Sequence, residues 1–288
     1  MEVAHTPVLL DAVVNYLVDE DDLLFVDATI GGGGHGYHLL ERYRGLRLVG
    51  IDADEEALAV SGERLAPFKG RVILRKGNFR DLKRILHGES INEIDAVLFD
   101  LGISMYQMRG DRGFSFADEA KLDMRIDRTQ ALTAFDVVNR YDYEALTRVI
   151  REYGEEGEAP RIARAIVKAR KEKAITVSRE LGEIVARAKR GRGRIHPATK
   201  TFQAIRIEVN DELANIERGL HDAADMVRTS GKIGVITFHS LEDRVVKTFF
   251  KENPRLRLAT KKPIVPGRDE IRSNRRARSA KLRIAERA

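Results

Sequence analysis

The sequence predicts an α/β fold, a Rossmann-like sheet interrupted by an all-helical domain, and three observations predict it. Strand-length apolar runs alternate with helix-like segments through the first hundred residues, the pattern of a parallel sheet covered by crossover helices. A glycine cluster, Gly31-Gly32-Gly33-Gly34-His35-Gly36, occupies the first strand-to-helix junction. Strand signals then vanish from about Tyr106 to Arg206 and return at Lys232, so a helical insertion splits the sheet domain.

Each element has its own signal. Leu23–Ala28 is an apolar run carrying Asp27 near its end, and His35–Arg42 reads as a helix. Leu46–Asp52 is the second strand and Asp54–Phe68 its helix; Arg71–Asn78 is the third, followed by helical Asp81–Leu86. Ile94–Asp100 is the fourth. Within the insertion, Ile162, Ala165, Ile166 and Ala169 share one helix face, and Leu181, Ile184, Val185 and Ala188 share another. Ile205, Val209, Leu213, Ile216 and Leu220 continue as one long amphipathic helix. Lys232–Phe238 is the fifth strand, Leu241–Lys251 a helix, and Leu256–Thr260 and Leu282–Ala285 are weaker strands. The expected domains are therefore residues 1–105 with 207–288 for the sheet, and 106–206 for the helices.

Composition narrows the function. With 43% apolar residues the chain can bury a full core, and its 33% charged residues are nearly balanced at +6 over 288 residues. No run of about 18 apolar residues exists to span a membrane. The start, Met1-Glu2-Val3-Ala4-His5, lacks the basic and apolar regions of a signal peptide, so a cytoplasmic protein is expected. There is no cysteine, which removes disulfides, thiolate metal sites and thiolate nucleophiles together. The seven histidines are dispersed and no metal constellation presents itself.

The surplus charge is segregated. Lys251–Ala288 holds thirteen basic and four acidic residues, a net +9, so everything before it nets −3. A second segment, Arg187 to Arg206, has seven basic residues and no acid. Two such segments on a slightly acidic body predict two basic arms flanking a cleft lined with carboxylates, and a polyanion partner. Affinity for that polyanion should fall steeply with salt.

The glycine loop points to an adenosine-containing ligand. Gly31, Gly33 and Gly36 satisfy G-x-G-x-x-G, and glycines there let a ligand approach the backbone at a helix N-terminus. Asp52 closes the second strand 21 residues after Gly31, where an acid accepts hydrogen bonds from ribose hydroxyls. The spacing leaves NAD and S-adenosylmethionine both open. Asp27 favours the latter, because its carboxylate would receive a methionine ammonium and repel a pyrophosphate. Gly77-Asn78-Phe79 ends the third strand with an amide and a ring for an adenine, and Asp100-Leu101-Gly102-Ile103-Ser104 ends the fourth with a polar loop.

Six ordered blocks carry a resemblance. They are His5-Thr6-Pro7-Val8-Leu9-Leu10; the Asp27–His35 loop; Asp100–Ser104; Arg112-Gly113-Phe114-Ser115-Phe116 with Leu122-Asp123-Met124-Arg125; Lys200–Arg206; and Thr237–Arg244. Together they closely resemble the bacterial 16S ribosomal RNA (cytosine-N4)-methyltransferase H family, also called MraW. The resemblance covers the chain from His5 to its end. It implies a class I S-adenosylmethionine-dependent methyltransferase sheet with a helical domain inserted after the fourth strand. It also implies methylation of the exocyclic N4 amine of one cytidine in the decoding centre, within the small ribosomal subunit. Residue by residue, it implies that Gly33, Gly34 and His35 contact the cofactor, Asp52 holds its ribose, Phe79 borders its adenine, and Asp100 and Gln107 complete the pocket. The family often has Ser-Ser-Pro-Gln after Asp-Leu-Gly; here, in Ser104-Met105-Tyr106-Gln107, Gln107 matches and the two residues before it differ.

The residues also constrain the chemistry. Methylation at cytosine C5 needs a cysteine thiolate to attack C6, and this chain has none, so exocyclic amine or ribose hydroxyl targets remain. The cytosine amine is a poor nucleophile, and Asp100 is the candidate catalytic residue to accept its N–H bonds and later its proton. A flipped base would stack on Tyr106, Phe114 or Phe116, with a core role the alternative for each phenylalanine. His239, ending the fifth strand, either orients the base or Asp100 or serves as a structural hydrogen-bonding residue. A dehydrogenase and an RNA-binding assembly factor with a relic pocket are the competing readings. No membrane partner is expected, and a homodimer is one expected assembly.

Overall fold

The computed structural model describes residues 7–103, 108, 111–191 and 195–288. The chain divides into two compact units, residues 1–102 with 213–288, and residues 103–212.

The first unit is built on a seven-stranded sheet: β1 (Leu24–Asp27), β2 (Arg47–Asp52), β3 (Val72–Lys76), β4 (Ile94–Asp100), β5 (Val227–Thr237), β6 (Leu256–Leu258) and β7 (Lys281–Arg287). Their spatial order is β3-β2-β1-β4-β5-β7-β6, with β1 to β5 parallel and β7 antiparallel to both its neighbours. The order reverses between β1 and β4. In open α/β sheets, ligands bind at the carboxyl ends of strands at such a reversal.

One face of the sheet is covered by α1 (Leu10–Tyr16), α2 (Gly34–Arg42) and α3 (Glu55–Leu65), which bury Leu17, Leu39, Leu40 and Leu65 against Phe25, Leu48 and Leu98. The other face takes α4 (Leu82–Gly88) together with two later helices, burying Leu82, Leu220 and Phe250 against Val49, Val97 and Val235. Local chemistry starts these helices where it should: Asp54 accepts the Glu56 N–H at 3.2 Å, with Glu55 and Glu56 in the first turn of α3. Helix α1 has no sequence signal because its start, Leu9, lies in the left-handed region with no side-chain cap.

The second unit is helical: α5 (Ala134–Arg140), α6 (Tyr143–Gly154), α7 (Ala159–Glu172), α8 (Ser178–Ala188) and α9 (Thr199–Asn210). Ile150, Ile162, Ile166, Leu181, Val185 and Ile205 form its core, together with Phe114 from the loop before α5. Phe114 is thus a core residue, not an available stacking ring.

Two expectations need correction. The helix expected to continue from Ile205 to Leu220 breaks at Asp211, which sits at φ 50° between α9 and α10 (Glu212–Met226). Asn210 stabilises the break: its side-chain N–H groups donate to Met124 O and Arg206 O, and its Oδ1 accepts the Ile126 N–H. A single left-handed residue leaves the apolar spacing intact, so periodicity does not see it.

The basic C-terminal segment is also not an arm. Its last part is β7, paired along its length with β5 and burying Leu282, Ile284 and Ala285. Its cations meet acids from elsewhere in the unit: Arg283 and Lys281 reach Asp243 at 2.8 and 2.9 Å, and Arg255 reaches Asp225 at 2.7 Å. The basic stretch of the helical unit is likewise acid-free only along the chain, because Lys189 pairs with Glu156 and Arg206 with Glu212.

Candidate active site

The carboxyl ends of β1, β2 and β4 bring Asp27, Asp52 and Asp100 to one edge of the sheet. The chain is stitched where it leaves these strands. Ala28 N–H donates to Leu98 O, Ile30 N–H to Ile51 O, and Leu101 N–H to Ile236 O. Thr29 Oγ1 accepts the Asp100 N–H at 2.6 Å, and Asp52 Oδ2 accepts the Gly31 N–H at 2.9 Å. The β1–α2 loop is therefore held by two of the acids it lies beside.

Its glycines divide the work. Gly33 has φ 73° as the residue before α2, a conformation L side chains rarely adopt. Gly34 and Gly36 are required by packing: an added Cβ would lie 2.6 Å from Pro7 Cγ at the first and 2.6 Å from Leu48 Cδ2 at the second. At Gly31 the nearest atom to an added Cβ is Thr29 O at 3.8 Å, so the space beside its Cα is open. Ligand approach therefore accounts for only part of this glycine cluster, because Gly34 and Gly36 serve protein packing.

Burial suppresses charge at this edge. Asp27 is 1% exposed, and burial, reinforced by the nearby Asp100 charge, pushes its carboxyl up to about 8. Its Oδ1 accepts one long bond, 3.3 Å from Thr29 N–H. Asp52 is raised less, to about 6: burial lifts it, and the N–H groups of Asp54 and Gly31, each at 2.9 Å, pull it back. At neutral pH, then, Asp27 is largely protonated and ready to ionise against a cation, while Asp52 is largely ionised and ready to accept hydroxyl donors.

His35 is buried at 4% exposure, with Nε2 donating to Val8 O at 3.0 Å. Burial lowers its pKa to about 4, so it is neutral at pH 7. The 3.9 Å approach of its Nδ1 to Asp100 Oδ2 is accordingly not an ion pair. Phe79 is half-buried after β3, edge-on to Phe99 at 5.6 Å and seated under Gly219, where a Cβ would come within 2.9 Å of its ring. Gln107, Ser104 and Tyr106 lie outside the described residues. His239 caps the helix α11 (Ser240–Glu252): its Nδ1 accepts the Glu242 N–H, and Glu242 returns a bond from the His239 N–H, a capping box. Its observed role is structural.

Sequence reasoning gave no role to Thr29, Glu270 or Arg276. Glu270, in α12 (Arg268–Ser273), accepts the Leu9 N–H at 2.6 Å. Arg276 is half-buried, and the charge of Asp100 supports its ionised form against that burial. Both arrive from the far end of the chain, and only the return of the C-terminus along the sheet reveals them. A separate groove of about 610 Å³ lined by Glu217, His221 and Phe249 shares no residue with the carboxylate edge.

The donor set fits S-adenosylmethionine. A buried acid that ionises on meeting an ammonium, and a second acid at the neighbouring strand end placed for a ribose, suit a cationic adenosine compound. The ionised acids at this edge would repel the pyrophosphate of NAD. Comparison with known proteins agrees. Residues 2–288 match the model of the MraW methylase family. The chain is 52% identical over 291 residues to "Ribosomal RNA small subunit methyltransferase H" of Persephonella marina, covering 99% of both chains. It is 47% identical over 307 residues to the protein of that name from Carboxydothermus hydrogenoformans, covering 99% of this chain and 98% of that one. The dehydrogenase reading falls, S-adenosylmethionine is the cofactor, and the chain belongs to the MraW methylase family.

Proposed function

We propose that this chain methylates the exocyclic N4 amine of one cytidine in the decoding centre of 16S ribosomal RNA, within the small ribosomal subunit. What carries the reading is identity of 47–52% along the whole chain to proteins named for methylation of that RNA. The absence of cysteine removes the C5 route and leaves an amine as a suitable target.

The cofactor supplies an electrophilic methyl group on a sulfonium. Asp27 takes the ammonium of its methionine and Asp52 its ribose hydroxyls, with Gly33, Gly34 and His35 shaping the loop beside it. Phe79 borders the adenine and Gln107 completes the pocket. Asp100 is the catalytic residue. Its side chain retains 27% exposure at the crevice, so a substrate can reach it. The N4 lone pair is conjugated into the ring, and an acceptor for its N–H bonds localises it on nitrogen. Asp100 is that acceptor, and it takes the proton that N4 must shed after methylation. The helical unit serves RNA recognition.

The deciding experiment maps a tritiated methyl group on small-subunit RNA taken from a strain lacking this protein. A single N4-methylcytidine is expected. A methyl group on another atom, or in another RNA, overturns the reading. In the same assay, Asp100→Ala abolishing transfer while sparing cofactor affinity excludes a binding factor with a relic pocket.

A further inference from the structure

We propose that the stacked pair Phe116 and His196 in the helical unit is a platform on which one unpaired nucleobase of the RNA substrate stacks. The proposal rests on the RNA reading above and adds a place of contact to it.

The two rings lie 4.0 Å apart and within 6° of parallel. Behind them, Phe202 meets Phe116 edge-on at 5.8 Å and is itself buried. Phe116 is half-buried and seated on α8 at Gly182, where an added Cβ would stand 3.1 Å from Phe116 Cβ. His196 is exposed. The aromatic column thus grows outward from the core and ends on a ring whose inner face is covered and whose outer face meets solvent. Every nucleobase has a π-face, and a ring presented this way takes the next layer of the stack whatever the base.

The ring is also fixed in advance. Its Nδ1 accepts the Ala198 N–H at 3.2 Å, just before α9, and Pro197 restricts the backbone between them. A side chain already ordered loses little further entropy when a ligand arrives. Surrounding charge favours a nucleic acid over an aromatic peptide. Lys200, four residues after His196, bonds the Glu155 carbonyl at 2.8 Å. Arg190 is exposed six residues before His196. Cations next to an open aromatic face match a base joined to a phosphate.

The test separates the ring from its hydrogen bond. His196→Asn keeps an acceptor for the Ala198 N–H and removes the ring; His196→Phe keeps a ring and removes the acceptor. With protein-free small-subunit RNA as the probe, His196→Asn should weaken binding by about five- to 150-fold, the loss of one stacked base. It should raise KM for RNA and leave kcat, cofactor affinity and the salt slope of binding unchanged, because stacking releases no counterions. His196→Phe should bind within about twofold of the parent. The proposal is overturned if His196→Asn binds like the parent, if affinity follows the acceptor rather than the ring, or if the salt slope drops. A parent protein that binds and methylates other RNA but not this one overturns the substrate reading instead.

Discussion

The two units handle charge in opposite ways. At the carboxylate edge of the sheet, acids are drawn into low-dielectric surroundings where Asp27 holds its proton up to about 8. On the surface of the helical unit, exposed cations find acids: Arg187 meets Glu183 at 2.8 Å, with 78% and 54% of the two side chains exposed. A buried acid without a partner keeps its proton and ionises when a counter-charge arrives, and this makes a binding site. Pairing charges in water makes a soluble surface worth little to stability.

The strongest challenge to this contrast is Asp100→Asn, which keeps the shape and removes the proton acceptor. It should lower kcat by roughly 10²- to 10⁴-fold with cofactor affinity nearly intact. Equal losses in rate and cofactor affinity would make Asp100 a cofactor holder only.

Asp27 offers a second break point. Below about pH 8 it must shed its proton to meet the cofactor's ammonium, so affinity should rise about tenfold per pH unit. Beyond about pH 8 the cofactor's own α-amino group deprotonates and affinity should fall again. Calorimetry in buffers of different ionisation heat would detect about one proton released per cofactor at pH 7. A flat profile refutes the assignment.

The same acid bears on stability. Its folded pKa lies above the ordinary value of 3.8, so between these values the native state keeps a proton that the unfolded chain has lost. Stability therefore declines as pH rises through this window, by up to about 1.4 kcal/mol per unit. Asp27→Asn, which cannot ionise, should gain on the parent from pH 4 to pH 8 in melting temperature without cofactor; a constant difference would contradict it.

Smaller effects follow from packing and surface pairs. Gly36→Ala drives a Cβ to within 2.6 Å of Leu48 Cδ2 and should destabilise by about 1–3 kcal/mol in denaturant unfolding. Arg187→Ala should change stability by less than about 1 kcal/mol, and a larger loss would mean the helical surface is not as weakly coupled as its exposure implies.

Much of this was legible in local sequence. Ile94–Asp100 is the strand over those residues, because a central strand is marked by its apolar run, here Ala96-Val97-Leu98-Phe99, and ends where polarity returns. Asp52, 21 residues beyond Gly31, does reach that loop, since one strand, one helix and a second strand consume a fixed length of chain. The break at Asp211 was not legible, because a left-handed residue costs one backbone angle and no apolar position. Nor were Glu270 and Arg276, whose partners lie at Leu9 and Asp100.

By itself, then, the sequence determined the alternation of elements, the acids at the strand ends, and the exclusion of thiolate chemistry. These are set by neighbours along the chain and by composition. Tertiary structure alone decided that β7 fills the sheet, that Gly34 and Gly36 serve packing, that Lys189, Arg206, Lys281 and Arg283 of the basic segments meet acids, and that Phe116 meets His196. Each of those depends on which distant groups share one place, and hydrophobic burial, acting on the whole chain at once, is what brings them there.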